Sequence, residues 1–151
     1  MDALVDFQCQ MAIETEGREL DRRVLTSAIE KILKDQQDTG GKSTLGIYLI
    51  ALAPDQTPAG GLKLTFEMSP TVGGLIYMIQ DVFVQADQRK KGIFRKLYEK
   101  AEQLAREDDM CKALRLYVET ENYNAQKVYQ RMGMSQVDYS FTGSDYIFTK
   151  A

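Results

Sequence analysis

The sequence predicts an α/β fold with a mixed, mostly antiparallel sheet and flanking helices. Four segments carry apolar residues at helical spacing, and six others carry the alternating or continuous apolar runs that are typical of strands. A strand, a helix and a second strand follow one another in the middle of the chain, which predicts a parallel pair within the sheet. Because 151 residues is the size of one ordinary domain, we expect a single domain over residues 1–151.

Two short helices are predicted first, at 4–13 and 21–34, with Glu14 to Gly17 as an acidic loop between them. The later predicted elements, in chain order, are a strand at 45–53, a turn at 54–61, strands at 62–68 and 75–84, a helix at 92–106, a strand at 113–119, a helix at 122–132 and strands at 134–139 and 146–149. The first two strands are predicted to form an antiparallel hairpin, because the second alternates strictly between apolar and polar residues.

Composition excludes several classes of function. The chain has no histidine, so Ser-His and Cys-His nucleophilic sites are excluded and the usual zinc clusters lack ligands. A net charge of -3 argues against a nucleic-acid surface. The longest apolar run, 47–53, is too short to span a bilayer and no signal peptide is visible, so we expect a cytoplasmic protein without a membrane segment. Cys9 and Cys111, both predicted in or beside helices, are expected to be reduced thiols.

One local exception to the acidic composition surrounds the start of the third predicted helix. Six basic residues lie within twelve positions: Arg89, Lys90, Lys91, Arg95, Lys96 and Lys100. They follow a strand and flank Gly92, and a basic, glycine-containing turn that opens a helix offers free backbone N–H groups and the positive end of the helix dipole. This pattern predicts a pyrophosphate site; the alternative interpretation is a solvated, basic helix start.

The turn at 89–94 resembles the Gln/Arg-x-x-Gly-x-Gly/Ala signature of the GNAT superfamily of N-acetyltransferases. Lys90 replaces a frequent glycine, and Phe94 replaces the usual small residue. A second segment, 122–134, resembles the Asn-x-x-Ala-x-x-x-Tyr-x-x-x-Gly-aromatic pattern of the same family, with Met134 where an aromatic residue is common. Two motifs, each in the expected strand–helix context, make the chain similar to small, single-domain, bacterial-type members of this family.

The resemblance implies the GNAT acyl-CoA N-acyltransferase fold, with acetyl-coenzyme A as the co-substrate and no metal. Two neighbouring parallel strands would diverge to admit the cofactor, and its pantetheine arm would lie along the backbone of Val82, Phe83 and Val84. A backbone N–H there would polarise the acetyl carbonyl while a neutral amine attacks it directly, through a tetrahedral intermediate. The other implied cofactor-binding residues are Arg89, Lys90, Lys91, Gly92, Ile93, Phe94, Arg95, Asn122, Ala125 and Tyr129.

Tyr129 matches the tyrosine that protonates the departing thiolate in the family. A phenol with a pKa of about 10 is protonated at neutral pH and can donate to a thiolate whose pKa is about 8.5; simple core packing is the alternative. The attacking amine also needs a base, because an alkylammonium has a pKa of about 10.4. Polyamine-acetylating relatives carry Glu-Asp where this chain has Gln80 and Asp81, so the candidate bases are Asp81, Glu119, Glu67 and a water chain.

Acceptor binding is expected from the first two helices and the turn at 67–70, because relatives build this wall from variable regions. The candidate substrate-binding residues are Glu14, Glu16 and Gln80; the two glutamates would attract a cationic amine or simply be solvated. We expect the acceptor to be the primary amine of a small molecule. A protein lysine or N-terminus, or a non-catalytic acyl-CoA-binding module, remain open as alternatives.

Two further expectations concern the edges of the fold. Relatives usually begin with a strand before the first helix, whereas this chain starts almost at helix one, so the first strand is expected to be missing or atypical. A homodimer is common among relatives, and the aromatic segment 139–148 is the predicted contribution of this chain to one.

Overall fold

The computed structural model describes residues 1–41, 43–137 and 145–150. Its helices and strands follow one another in the predicted order, with one 3-10 turn added at Ala86–Gln88. The elements are α1 (Asp2–Glu16), α2 (Arg22–Asp38), β1 (Ile47–Leu52), β2 (Pro58–Ser69), β3 (Gly74–Val84), α3 (Ile93–Glu107), β4 (Cys111–Glu119), α4 (Tyr123–Arg131), β5 (Ser135–Val137) and β6 (Asp145–Lys150).

The strands form one six-stranded sheet in the order β1-β2-β3-β4-β6-β5. Within the described residues β3 and β4 are the only parallel neighbours, and α3 is the crossover between them. The pairs β1–β2, β2–β3, β4–β6 and β5–β6 are antiparallel. The predicted α/β class with a mixed, mostly antiparallel sheet is therefore confirmed.

Helices cover both faces of this sheet. The larger core lies under α3, whose side chains Ile93, Leu97, Tyr98 and Ala101 are buried at helical spacing. A smaller cluster on α1 and α2 contains Leu4, Val5 and Ile29. None of the described helices is both long enough and apolar enough to cross a membrane.

The acidic segment that we predicted as a loop is the last turn of α1. Glu14 and Glu16 are helical, and the helix ends at Gly17, whose N–H donates to the carbonyl of Ile13 (3.1 Å). The N–H of Arg18 donates to the carbonyl of Ala12 (3.2 Å), so the last carbonyls of the helix have hydrogen-bond partners. The helix therefore ends about one turn later than the apolar pattern indicated. The prediction of a loop at Glu14 was therefore wrong.

The predicted turn at 54–61 is shorter, because β2 already begins at Pro58. Gly60 and Gly61, which suggested a turn, are paired with Val84 and Phe83 in β3. A Cβ on Gly60 would lie 2.7 Å from the Phe83 carbonyl oxygen, so glycine is needed here for close packing of two strands.

Cys111 also differs from its predicted place beside a helix, since it is the first residue of β4. It pairs with Leu75 of β3. Both Cys111 and Cys9 are free and partly buried, as expected of reduced thiols.

Of the two expectations about the edges of the fold, the first stays a prediction and the second is tested only at Phe148. The first described element is α1, and β1 is an edge strand whose Tyr48 N–H donates to the Gln36 side chain of α2 (3.1 Å). Of the aromatic segment 139–148, residues 139–144 lie outside the described part of the chain. Phe148 is fully buried in the main core, so the prediction that it contributes to an exposed dimer surface was wrong.

Candidate active site

The parallel strands β3 and β4 pair over only part of their length. Their pairing runs from Leu75 opposite Cys111 to Ile79 opposite Leu116. Beyond this point β3 remains paired with β2, and β4 remains paired with β6 as far as Glu119. The two strands therefore diverge and open a cleft at their carboxyl ends, which is the arrangement that the motif resemblance implied.

A β-bulge lies in β3 where this divergence begins. Gly61 of β2 is opposite Phe83, whereas Lys63 is opposite Gln80, so β3 has one more residue than β2 in this interval. Asp81 lies in the bulge with φ of 53°, a left-handed conformation that is uncommon outside glycine.

The bulge shifts the alternation of side chains along β3. Ile79 packs into the main core before the bulge, and Val82 and Val84 pack into it afterwards. Without the extra residue, the strand would present odd-numbered positions to the core throughout. The shift leaves both Gln80 and Asp81 facing the cleft.

A cavity of about 630 Å³ fills the cleft. Its lining comes from α1, β3, β4 and the region of α4: Glu14, Thr15, Ile79, Gln80, Asp81, Val82, Leu116, Tyr117, Val118, Glu119, Asn122 and Tyr129. Three of these described residues are carboxylates and none is basic. The cavity therefore has an acidic wall.

The negative charge of Asp81 is partly neutralised by Lys63 of the neighbouring strand β2. The Lys63 ammonium lies 2.6 Å from its carboxylate, and these side chains are only 19% and 25% exposed. Burial, together with the negative charge of Asp81, raises the pKa of Tyr48 to about 12. Glu119 is the other candidate base in the cavity, and among the described residues it forms no ion pair.

The basic turn before α3 has the features of an anion site. Lys90 and Gly92 both adopt left-handed backbone conformations, with φ of 63° and 78°. Gly92 is the N-cap of α3 and provides no side-chain acceptor, whereas Asp21 caps α2 and Asn122 caps α4. The first N–H groups of α3 are therefore available to an external anion.

The side chains of this turn divide into two groups. Arg89, Lys90, Lys91 and Arg95 are exposed, so their charges lie near the α3 N-terminus. Ile93 and Phe94, in contrast, pack into the core. The two apolar residues can therefore contribute only backbone groups to a bound phosphate.

Tyr129 belongs to both the core and the cavity. Its ring contacts Phe94 (centroids 5.7 Å apart, edge to face) and Phe148 (5.8 Å). Burial raises the pKa of Tyr129 above its ordinary value of 10.0, so the phenol is protonated at neutral pH. The replacement of a small residue by Phe94 therefore gives Tyr129 a packing partner.

The start of α4 is fixed against the end of β4. Asn122 accepts a hydrogen bond from the Ala125 N–H (3.1 Å), and Gln126 donates to the carbonyls of Glu119 (3.1 Å) and Thr120 (2.9 Å). These contacts place Asn122 and Tyr129 on the cavity wall.

Several predicted site residues lie elsewhere. Glu16 pairs with Arg18 at the surface (3.0 Å) and is not part of the lining. Glu67 is opposite Ile76, in the half of the β2–β3 hairpin away from the cleft, so it is removed from the candidate bases. Neither α2 nor the segment 67–70 contributes to the lining, and the helical part of the lining comes from Glu14 and Thr15 of α1 and Tyr129 of α4.

Sequence reasoning missed six residues: Lys63, which pairs with Asp81, and the cavity-lining Thr15, Ile79, Leu116, Tyr117 and Val118. Tyr117 had a usable signal, because it lies two positions before Glu119 and so shares its face of β4.

Among the described residues, no group of three or more His, Cys, Asp or Glu side chains is placed to hold a metal ion.

Comparison with known proteins points to one family. A crystal structure described as a possible acetyltransferase from Clostridium difficile 630 is 32% identical, with a TM-score of 0.77 over 93% of this chain and 87% of that chain. PaiA N-acetyltransferase from Thermoplasma acidophilum, in complex with coenzyme A, is 21% identical (TM-score 0.69; 99% and 91% covered). NAA60 from Arabidopsis thaliana, in complex with a bisubstrate analogue, is 16% identical (TM-score 0.69; 98% and 92% covered).

No curated protein matches the sequence significantly. The model of the acetyltransferase (GNAT) family matches residues 12–134, which include the diverging strands, the basic turn and Tyr129. The predicted GNAT fold is confirmed by this match and by the solved structures. This chain therefore belongs to the GNAT acetyltransferase family, whose members transfer acyl groups from coenzyme A.

Proposed function

We propose that this chain transfers an acetyl group from acetyl-coenzyme A to the primary amine of a small, cationic molecule. The divergence of β3 and β4 after Ile79 and Leu116 is the observation that carries the proposal. It creates an acidic cavity beside a protonated tyrosine, on a chain whose family uses coenzyme A donors. A distant fold relative in complex with coenzyme A is consistent with the same donor.

Two parts of the chain fit the cofactor. Within the described residues the backbone of Val82, Phe83 and Val84 forms no bridge to β4, which leaves an open strand edge for the pantetheine arm. The N-terminus of α3 offers N–H groups that no side chain caps, and basic residues surround it. A diphosphate there would be stabilised both by hydrogen bonds and by the helix dipole.

Bound acetyl-coenzyme A supplies the activated acyl group as a thioester. A backbone N–H on the β3 wall polarises the acyl carbonyl. Asp81 accepts the proton of the incoming ammonium, directly or through water, and Glu119 is the second candidate for this role. Gln80, beside Asp81 on the cavity wall, contacts the acceptor as a neutral hydrogen-bonding group.

Tyr129 provides the proton for the departing thiolate. Its raised pKa keeps the phenol protonated at neutral pH, and its position in the cavity wall exposes it to the reacting groups. A thiolate with a pKa of about 8.5 is a suitable acceptor for a hydrogen bond or proton from such a phenol.

The cavity favours a small and positively charged acceptor. A volume of about 630 Å³ is within the roughly 300–1,000 Å³ typical of small-molecule sites. Of the three lining carboxylates, Glu119 forms no ion pair among the described residues and can attract an ammonium group, whereas Asp81 and Glu14 are paired with Lys63 and Arg89; no described lining residue is basic. A cytoplasmic location and a homodimer remain predictions beside this proposal.

The test measures thiol release from acetyl-coenzyme A across a panel of monoamines, diamines, polyamines and peptides with free N-termini. We expect turnover with small cationic amines. We expect Tyr129→Phe to lower kcat at least tenfold while the Kd for coenzyme A changes less than twofold. Tyr123→Phe is the matched control, because Tyr123 begins the same helix, is 65% exposed and does not line the cavity.

Each alternative has its own outcome in this experiment. Turnover on peptides alone would replace the small-molecule acceptor with a protein acceptor. Coenzyme binding without turnover on any amine would favour a non-catalytic acyl-CoA-binding module. Equal turnover by Tyr129→Phe and the wild type would remove the acid role of Tyr129.

A further inference from the structure

One ion pair joins the basic turn to the acidic cavity. The Arg89 guanidinium lies 2.6 Å from the carboxylate of Glu14, which lines the cavity from the last turn of α1. Arg89 also donates through Nε to the Val84 carbonyl (3.0 Å), and its guanidinium carbon lies 6.0 Å from the centroid of the Phe83 ring. Arg89 is thus anchored to the end of β3 while its outer nitrogen binds Glu14.

The position of Glu14 in the last turn of α1 does not stabilise that helix. The last turn of α1 contains Glu14 and Glu16 and no basic residue. Carboxylates at the C-terminal end of a helix interact unfavourably with the helix dipole. Glu14 therefore destabilises the C-terminal end of α1, and its ion pair with Arg89 offsets part of this effect.

This ion pair is suited to exchange rather than to permanent contact. Both side chains are 46% exposed, and exposed ion pairs contribute little to stability. A diphosphate carries more negative charge than one carboxylate and binds a guanidinium bidentately. If coenzyme A binds at the turn before α3, its diphosphate competes with Glu14 for Arg89.

We propose that Glu14 recognises the ammonium group of the acceptor, and that Arg89 holds it until the cofactor binds. The inference depends on the function proposed above. When the diphosphate takes over Arg89, the carboxylate of Glu14 is left in the cavity wall without its counter-ion. The acceptor then meets one more unpaired negative charge, so the bound cofactor strengthens binding of the amine, and by linkage the amine strengthens binding of the cofactor.

The first test measures the Kd of coenzyme A by calorimetry, without acceptor. Glu14→Gln removes the internal competitor, so we expect the Kd to fall about two- to fivefold, the range of an exposed ion pair. Arg89→Gln should raise the Kd, and in that background Glu14→Gln should have no effect. Asp6→Asn is the matched control, because Asp6 pairs with Arg22 at the same distance (2.6 Å) from the same helix but lies outside the cavity lining.

The second test measures steady-state kinetics with the best amine of the panel. Loss of a charge-assisted hydrogen bond should raise the KM for the amine about tenfold or more in Glu14→Gln. We expect kcat at saturating amine to change less than threefold, because Glu14 binds the acceptor without taking part in the chemistry. Asp6→Asn should leave both constants at their wild-type values.

The outcomes separate this inference from the proposed function. An unchanged or higher Kd for coenzyme A in Glu14→Gln would overturn the exchange, because Glu14 would then orient Arg89 for the cofactor. A lower Kd with an unchanged KM for the amine would overturn the recognition role. Failure of the wild type to bind coenzyme A would contradict the proposed function itself.

Discussion

Substitution of Gly92 gives the sharpest test of the proposed phosphate-binding turn, residues 89–94. Its φ of 78° is left-handed, and a Cβ added there would meet no atom within 4 Å. Gly92→Ala therefore introduces backbone strain without a steric clash. For an alanine that strain is about 1–2 kcal/mol.

Because this turn is exposed, we expect the strain to weaken coenzyme A binding more than it lowers the stability of the free protein. Because Gly92 is exposed, the free protein can relax to a conformation with negative φ at little cost. In the proposed binding mode, coenzyme A then has to restore the left-handed turn before the first N–H groups of α3 can bind its diphosphate. About 1–2 kcal/mol of lost binding energy corresponds to a Kd about five- to thirtyfold higher.

The assay is calorimetric titration with coenzyme A, and Gly73→Ala is its control. Gly73 has φ of 72°, also has no atom within 4 Å of an added Cβ, and lies in the turn between β2 and β3, away from the cleft. We expect Gly73→Ala to bind coenzyme A as the wild type does, and both variants to lower Tm by at most about 8 °C. A Kd within twofold of wild type in Gly92→Ala, or equal losses in both variants, would refute the reasoning.

Two other predictions concern stability. Phe148 is fully buried against Tyr129, so Phe148→Ala should cost about 3–5 kcal/mol in urea unfolding, and a loss below about 1 kcal/mol would contradict its place in the core. A hydrogen bond from Lys150 (2.6 Å) is the main cause that lowers the pKa of Glu102 from 4.5, with a smaller contribution from the charge of Arg106. A lowered carboxyl pKa stabilises the fold above that ordinary value, and the stabilisation is lost as pH falls below it. Glu102→Gln should therefore be less stable than wild type at pH 7, and the difference should shrink in urea titrations as pH falls below 4.5 and through the lowered pKa; a difference that stays constant over this range would exclude the linkage.

The parts of the fold that local patterns specify were predictable from the sequence. Helical spacing around Leu97 and alternation around Leu64 gave the element types, and the strand–helix–strand order gave the parallel pair. The position of the cleft followed from the two motifs, since Gly92 and Tyr129 lie after the two strands that diverge. These signals involve residues within one element or on consecutive elements.

The missed features depend on pairs that are distant in sequence. Arg89 and Glu14 are 75 positions apart, and nothing local to either residue indicates the other. The bulge at Asp81 adds one residue to a strand that is apolar on both sides, so the shifted alternation was hidden. Gly60 was misread because a glycine that permits a close approach between strands looks the same in sequence as one that permits a turn.

β3 and β4, the two walls of the cleft, are each paired with another strand along the edge that faces away from the cleft. β2 pairs with β3 as far as Val84, and Gly60 lets the two backbones approach more closely than any side chain would allow. β6 pairs with β4 as far as Glu119. Each wall is therefore held by an antiparallel partner, and the bulge at Asp81 bends β3 where it separates from β4. A site built on paired strands is positioned more precisely than one built on loops, so the exchange that we propose at Arg89 requires the movement of side chains only.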